Sequence, residues 1–387
     1  MKKQICKLLE YYPLLFALIT MLYSISLFTT ISTLLNVILF FSGFLFFILN
    51  IKKINIRYCW LEILFLFILI ASCLFNKNTY YFENMKLIIL SFLQLIILLN
   101  FNIFYTKLAD NIKYIINSLI IYSFIISLFS IIIYVISFLF GSPYGMMGSD
   151  FTGLYIHPNT AGFIVAISLI FSYIYIRNYR INYLLIINIL IQTIILLFSH
   201  SNASIIMVIT FFIFEFLFYL YKKKKNLYSI NILFLANVNI VEIIESLANG
   251  RFELWKLGVE IIKNHFYLGV SPAAVPDYAK YYGNISGPST IDNGGLHNSY
   301  IQLIASVGVV GGLLGLLIII KRLLVAFNYN LRKHLYLSMC LSILLYCFFE
   351  SKLFFQASFL PTIFWIFLGY IGDNKQYGQN FSDNTDL

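Results

Sequence analysis

Twelve apolar runs, most of them near the roughly 20 residues that a bilayer-spanning helix needs, constrain this chain more than any other feature. They fall at approximately 11–30, 33–50, 58–75, 86–105, 114–140, 161–176, 181–199, 203–221, 227–241, 297–320, 334–350 and 353–371. Inside lipid an unpaired backbone amide or carbonyl is costly, so an apolar run of this length closes its own hydrogen bonds as a helix. The ninth run is short and rich in Asn, and lying on the membrane surface is its alternative. Charged residues are 11% of the chain and hydrophobic ones 60%, against about 25% charged in soluble domains. The expected fold is an all-α, polytopic helical membrane protein of about 12 transmembrane helices with one large extracytoplasmic loop late in the chain.

The formal charge of +10 reads as membrane orientation rather than as affinity for an acidic partner. If twelve spans alternate, 19 of the 26 Lys and Arg fall on one side. Cytoplasmic loops carry such an excess, which places both termini in the cytoplasm. Dropping the ninth span would put the cluster from Lys321 to Lys333 outside. The division expected is helices one to nine over 1–241, an extracytoplasmic loop with an amphipathic helix over 242–296, helices ten to twelve over 297–371, and a cytoplasmic tail over 372–387. The Lys2-Lys3 start leads into a long apolar run without a small-residue cleavage site and reads as a retained helix. Five Cys, four of them in apolar runs, give no disulfide framework.

The outward loops carry the informative residues, because long loops on a scaffold are more often functional than connective. From Asn249, a plausible N-cap, Phe252, Trp255, Val259 and Ile262 recur at helical spacing, and Arg251 lies four residues before Trp255, on the same side. A plain interfacial helix with Arg251 reaching to lipid headgroups is the alternative. His297, followed by Asn298, stands at the mouth of the tenth span, where an imidazole can serve as general base or merely hydrogen-bond headgroups. Gly308, Gly311, Gly312 and Gly315 then line that helix at spacings that permit close helix packing. His157, in the segment YIHPNTAG with Asn159, suits helix capping more than catalysis. His200 and Asn202 sit in the turn SHSNAS and could reach the same cavity. Glu62 and Glu215, near the ends of their spans, read as snorkelling carboxylates. Asp277 and Asp292 are fifteen residues apart, so no metal site is expected, and no glycine-rich phosphate loop is present.

Taken in order, these motifs resemble the O-antigen ligase and O-antigen polymerase superfamily of bacterial membrane glycosyltransferases, over most of the chain and most strongly from 150 to 315. HPNTAG at 157–162 resembles that family's segment before its core helices. Gly250-Arg251 with Trp255 resembles its Gly-Arg…Trp helix. NHFYLGVS at 264–271 resembles its His-Pro-Leu-x-Gly-x-Gly turn, and His297-Asn298 with Gly308 its His-Asn and His-x10-Gly pattern. Two departures stand out. The family's Ser-x-Ser-Arg reads Ser199-His200-Ser201-Asn202 here, so one expected cationic contact is lost or is supplied by His200. Position 262 is Ile, so Arg-x10-Gly is absent.

The resemblance implies a glycan carried on undecaprenyl diphosphate and transferred outside the cytoplasm, by a metal-independent, inverting reaction that needs no cofactor. The leaving diphosphate gains negative charge and calls for a positioned cation. Arg251 is the best candidate, since its guanidinium fork suits phosphate oxygens. His297 is the candidate base for the attacking sugar hydroxyl. Trp255, Asn298, His157, Asn159, His200 and Tyr281 are the candidate substrate-binding residues, with Tyr278 and Tyr282 beside them as possible sugar-stacking rings. The partners expected are the lipid-linked oligosaccharide, a glycan acceptor, the bilayer, and a chain-length regulator and flippase; nucleic acid is not among them. The reading is a polysaccharide polymerase for O-antigen, capsule or exopolysaccharide in the cytoplasmic (inner) membrane. An O-antigen ligase with a lipid-core or protein acceptor is the near alternative. A transporter or flippase of lipid-linked units is the more distant one, opposed by the missing repeat between halves and the scarcity of mid-membrane charge. A structural subunit without chemistry is the last.

Overall fold

A computed structural model describes residues 11–54, 58–76, 80–104, 108–141, 144–179, 181–222, 250–285, 291, 295–329 and 333–372. The ninth run, and Asn249 as a cap, lie outside these residues. Eleven apolar helices answer to the other eleven runs, as an apolar run in lipid requires. They are α1 (Tyr12–Leu22), α2 (Ser32–Asn50), α3 (Trp60–Phe75), α4 (Tyr81–Phe92, extended by a π turn over Leu93–Leu98), α5 (Leu108–Leu139), α6 (Pro158–Asn178), α7 (Tyr183–Phe198), α8 (Asn202–Lys222), α11 (Ser299–Tyr329), α12 (His334–Tyr346) and α13 (Phe359–Ile371). Six are long and apolar enough to cross a membrane and five are shorter. Two further helices, α9 (Phe252–Asn264) and α10 (Val275–Gly283), are not apolar throughout. The only sheet among the described residues is a two-residue hairpin, Met146–Met147 against Asp150–Phe151. This is an all-α, multi-pass membrane protein.

The bundle centres on α13, whose thirteen residues are all buried. Trp365, Phe364 and Phe367 are its largest buried rings. It is flanked by α1, α11 and α12, and α12 packs in turn on α8. Within the membrane, α5, α6 and α7 are tied by hydroxyl and amide side chains. Ser127 Oγ of α5 donates to Gln192 Oε1 of α7 at 3.0 Å, and Asn188 Nδ2 of α7 donates to Ser168 and Ser172 of α6 at 3.2 and 2.9 Å. Such bonds hold lipid-embedded helices together where apolar contact alone drives little association.

Three sequence expectations need correction. Glu62 does not snorkel: its side chain is 1% exposed and pairs with Arg322, itself 2% exposed, at 3.1 Å. Arg322 also bonds Asn100 Oδ1 and the Tyr58 hydroxyl. A carboxylate too short to reach water is paired here, through Oε1, with Arg322 of α11. Glu215 likewise sits between Arg177 at 3.6 Å and His334 at 3.9 Å.

Gly308 is not part of a helix-packing face; it interrupts α11, with φ 70° and ψ −180°. The segment 266–271 enters the gap. Val309 N donates to Phe266 O, Val270 N to Ala305 O, and Ser271 N to Ser306 O, at 2.8, 3.0 and 2.9 Å. A Cβ at Gly308 would stand 2.1 Å from the Tyr267 carbonyl oxygen. Gly311 and Gly315 do serve close packing, against Ile68 and Phe65 of α3.

The third correction concerns α9. Its buried face is Gly258 and Ile261 with Leu254 and Leu257, whereas Val259 is exposed. Gly258 lets Leu296 and Ile301 approach its backbone, so this stripe docks on α11. The Trp255 stripe is thereby turned elsewhere.

Candidate active site

The end of the bundle opposite Arg322 gathers the starts of α6, α9 and α11 and the turn between α12 and α13. That turn is built from the first residue of α11 outward. Ser299 N donates to Cys347 O at 2.9 Å, its hydroxyl donates to Glu350 O at 2.5 Å, and it accepts from Leu353 N at 3.2 Å. The carboxylate of Glu350 is held inward as a result, with 1% of its side chain exposed.

Four side chains converge on that carboxylate. Arg251 Nη2 lies 3.2 Å from Oε1, while Nη1 donates to the Phe349 carbonyl. Asn159 Nδ2 donates to Oε1 at 2.9 Å. His297 Nδ1 stands 3.7 Å and Lys352 Nζ 3.9 Å from Oε2. Burial alone would raise the Glu350 carboxyl. Lys352, His297 and Arg251 around it outweigh that and hold it down at about 2, since opposite charges favour the ionised form. The centre is one carboxylate ringed by a guanidinium, an ammonium and an imidazole.

His297 takes φ 49°, a left-handed conformation tolerated by His more than by most side chains. Its carbonyl accepts from Trp255 Nε1 at 3.4 Å, and its Nδ1 is buried with no hydrogen bond among the described residues. Trp255 also meets Phe252, ring centroids 5.2 Å apart. The stripe of α9 turned away from the core therefore faces the site, and Arg251 and Trp255 share it as their spacing predicts.

The other candidate residues divide. His157 caps α6, its Nδ1 accepting from Asn159 N at 3.1 Å. Its pKa is lowered by burial first and by Lys352 next, with Glu350 opposing. It thus lies within the field of the cluster. Asn298 caps α11, its Oδ1 accepting from Tyr300 N and Ile301 N at 3.0 and 3.1 Å, and it is buried. His200 pairs with Asp150 at 2.9 Å in a partly exposed contact. Tyr281 projects from α10, 74% exposed, and Tyr278 packs edge-on against His265 at 4.9 Å. The structure brings Arg251, His297, Asn159, Trp255 and His157 together; it does not bring Tyr281 to them.

Sequence reasoning counts Glu350-Ser351-Lys352 among the informative outward loops but gives Glu350 and Lys352 no specific role. The available signal was a Glu-Ser-Lys triplet in the short gap between two long apolar runs. Charge placed there is expensive unless it is paired.

In comparison with known proteins, residues 159–316 match the family model described as O-antigen ligase. The matched stretch contains Asn159, Arg251, Trp255 and His297 and stops before Glu350. No curated protein matches the chain.

Proposed function

We propose, for a chain whose residues 159–316 match the O-antigen ligase family model, that it is a polysaccharide polymerase. It transfers an undecaprenyl-diphosphate-linked glycan to a sugar hydroxyl at the outer face of the cytoplasmic membrane. The observation that carries this reading is Glu350 bridging Arg251 at 3.2 Å and His297 at 3.7 Å. In this reading one carboxylate positions both the guanidinium that takes the phosphate and the imidazole that takes the proton.

The chemistry follows from the residues. Glu350 beside Nδ1 favours the His297 tautomer with its proton on that nitrogen, leaving Nε2 as acceptor. Nε2 takes the proton of the attacking hydroxyl as the new bond to the anomeric carbon forms. The bond from that carbon to the diphosphate oxygen breaks on the opposite face, which inverts the centre. Arg251 and Lys352 receive the charge that builds on the leaving diphosphate. Trp255 offers an aromatic wall beside the base. The apolar helices hold the polyprenyl chain in the bilayer while its head group reaches the cluster. No step calls on a metal ion.

The test is purified protein supplied with lipid-linked repeat units. Longer lipid-linked chains are the expected product, undiminished by chelator. Transfer to a lipid core or protein with no chain growth would make it a ligase. Translocation without a new glycosidic bond would make it a flippase and remove the enzymatic reading.

A further inference from the structure

A cavity of about 130 Å³ is lined by Ser351, the chain neighbour of Glu350. It lies among the 272–276 segment, the start of α11 and the 351–356 turn. That volume exceeds what a single ordered water needs. Its floor is apolar, formed by Pro272 and by Phe354 and Phe355, whose rings are packed into the core. Its rim is polar and uncharged among the described residues: Gln302, Gln356 and Ser351.

The two carboxamides are placed differently from ordinary surface glutamines. Gln302 Oε1 accepts from Leu296 N at 3.1 Å, which fixes the amide and leaves its NH₂ group without a partner among the described residues. The Gln356 backbone is pinned by Gln94 Nε2 on its carbonyl at 2.9 Å, while its side chain makes no hydrogen bond among the described residues. Gly295, at φ 62°, keeps the space open. A Cβ there would stand 2.9 Å from Gln302 Oε1 and 3.0 Å from Ser351 Oγ. Ser351 adjoins Glu350 in the chain, and Gly295 lies two residues before His297.

We infer that this cavity seats one neutral pyranose ring of the acceptor glycan, its hydroxyls on the Gln302 and Gln356 amides and its C–H face on the proline and phenylalanine floor. The inference rests on the glycosyl-transfer reading and adds to it the subsite that selects the acceptor. Diphosphate is a poor fit, because the described lining residues bring no cation; the cations Arg251 and Lys352 belong to the neighbouring cluster. A carboxamide donates and accepts at once, as adjacent sugar hydroxyls require. Amphipathic rings suit a pocket of apolar walls and few polar groups.

Two variants separate binding from folding. Gln356→Ala removes no hydrogen bond among the described residues. Gln302→Glu keeps an oxygen for Leu296 N and removes the NH₂ donors. In detergent-purified protein, each is expected to raise KM for acceptor glycan about 3- to 10-fold, the scale of one lost hydrogen bond. The kcat and the thermal unfolding midpoint should hold. Binding is read separately, without turnover, with oligosaccharide released by mild acid from the host's lipid-linked intermediates. Wild-type protein should bind it and Gln356→Ala should bind it several-fold more weakly. If wild type extends chains and both variants keep its KM, the subsite is wrong and the proposed function stands. If the oligosaccharide binds through Gln302 and Gln356 but no bond is ever formed, the subsite stands and the transferase reading falls.

Discussion

Arg251 and Glu350, 99 residues apart in the chain, meet at 3.2 Å with 1% of the carboxylate side chain exposed. The pair joins the loop before α9 to the turn after α12, and His297 at the start of α11 faces the other oxygen of the same carboxylate. Removing one partner of a buried pair leaves an uncompensated charge, typically a loss of about 3–5 kcal/mol. Arg251 is 18% exposed, so water screens part of that loss, and the expected cost of Glu350→Ala is nearer 2 kcal/mol. Thermal unfolding in detergent measures it. Glu350→Gln, which keeps an acceptor for Asn159, should lose less stability than Glu350→Ala while still losing activity.

The same carboxylate predicts an acid transition. Its folded pKa of about 2 lies below its ordinary value of 4.5. A group depressed in the folded state contributes stability that is fully present above the ordinary value and is lost as pH falls through the folded one. The unfolding midpoint of the wild type should therefore fall between about pH 4.5 and 2. The Glu350→Gln variant should lack this component of the decline. Equal slopes for the two proteins in that window would remove Glu350 as its source.

Gly308 predicts a steep loss on a small change. Alanine there meets the Tyr267 carbonyl at 2.1 Å and must hold φ 70°. Backbone cannot yield as a flexible side chain does, so Gly308→Ala should expel the 266–271 segment and lower the yield of folded protein. Gly250→Ala is the control. It shares a positive φ but has nothing within 4 Å among the described residues, so only the left-handed strain of about 1–2 kcal/mol applies. Similar unfolding midpoints for the two variants would contradict the wedge.

At the other end of the bundle, Glu62→Leu alone strands Arg322 and should destabilise by about 3–5 kcal/mol. The double variant Glu62→Leu with Arg322→Met should recover most of that loss, because apolar side chains replace a buried ion pair at little cost. It should also keep transfer activity, since α11 separates this pair from the Glu350 cluster. Thermal unfolding and a transfer assay on the three proteins decide both points.

What the chain disclosed follows the physics of lipid. Apolar runs reveal their helices because nothing else satisfies the backbone there, and eleven of the twelve expected lie among the described residues as helices. Arg251, Trp255 and His297 were legible because polar or aromatic residues at helix starts stand out against such a background. Glu350 was not, because its importance comes from burial, and burial is set by Ser299, Arg251 and Asn159 closing on it from three distant parts of the sequence. The break at Gly308 was hidden for the same reason. Within 299–320 a glycine reads as helix packing, and only the carbonyl of Tyr267, arriving from another segment, turns it into an interruption. The face of α9 was misjudged because both of its apolar stripes have helical period, and Gly258 decides between them.

The most direct test of the central claim is the chain length made from lipid-linked repeat units by purified His297→Ala protein beside wild type, after equal recovery from the membrane. A positioned base contributes about 10²–10⁴-fold. The account predicts extension slowed by that factor, with the donor still bound through Arg251 and Lys352. Extension by His297→Ala at the wild-type rate would leave the cluster around Glu350 without its base and contradict the account.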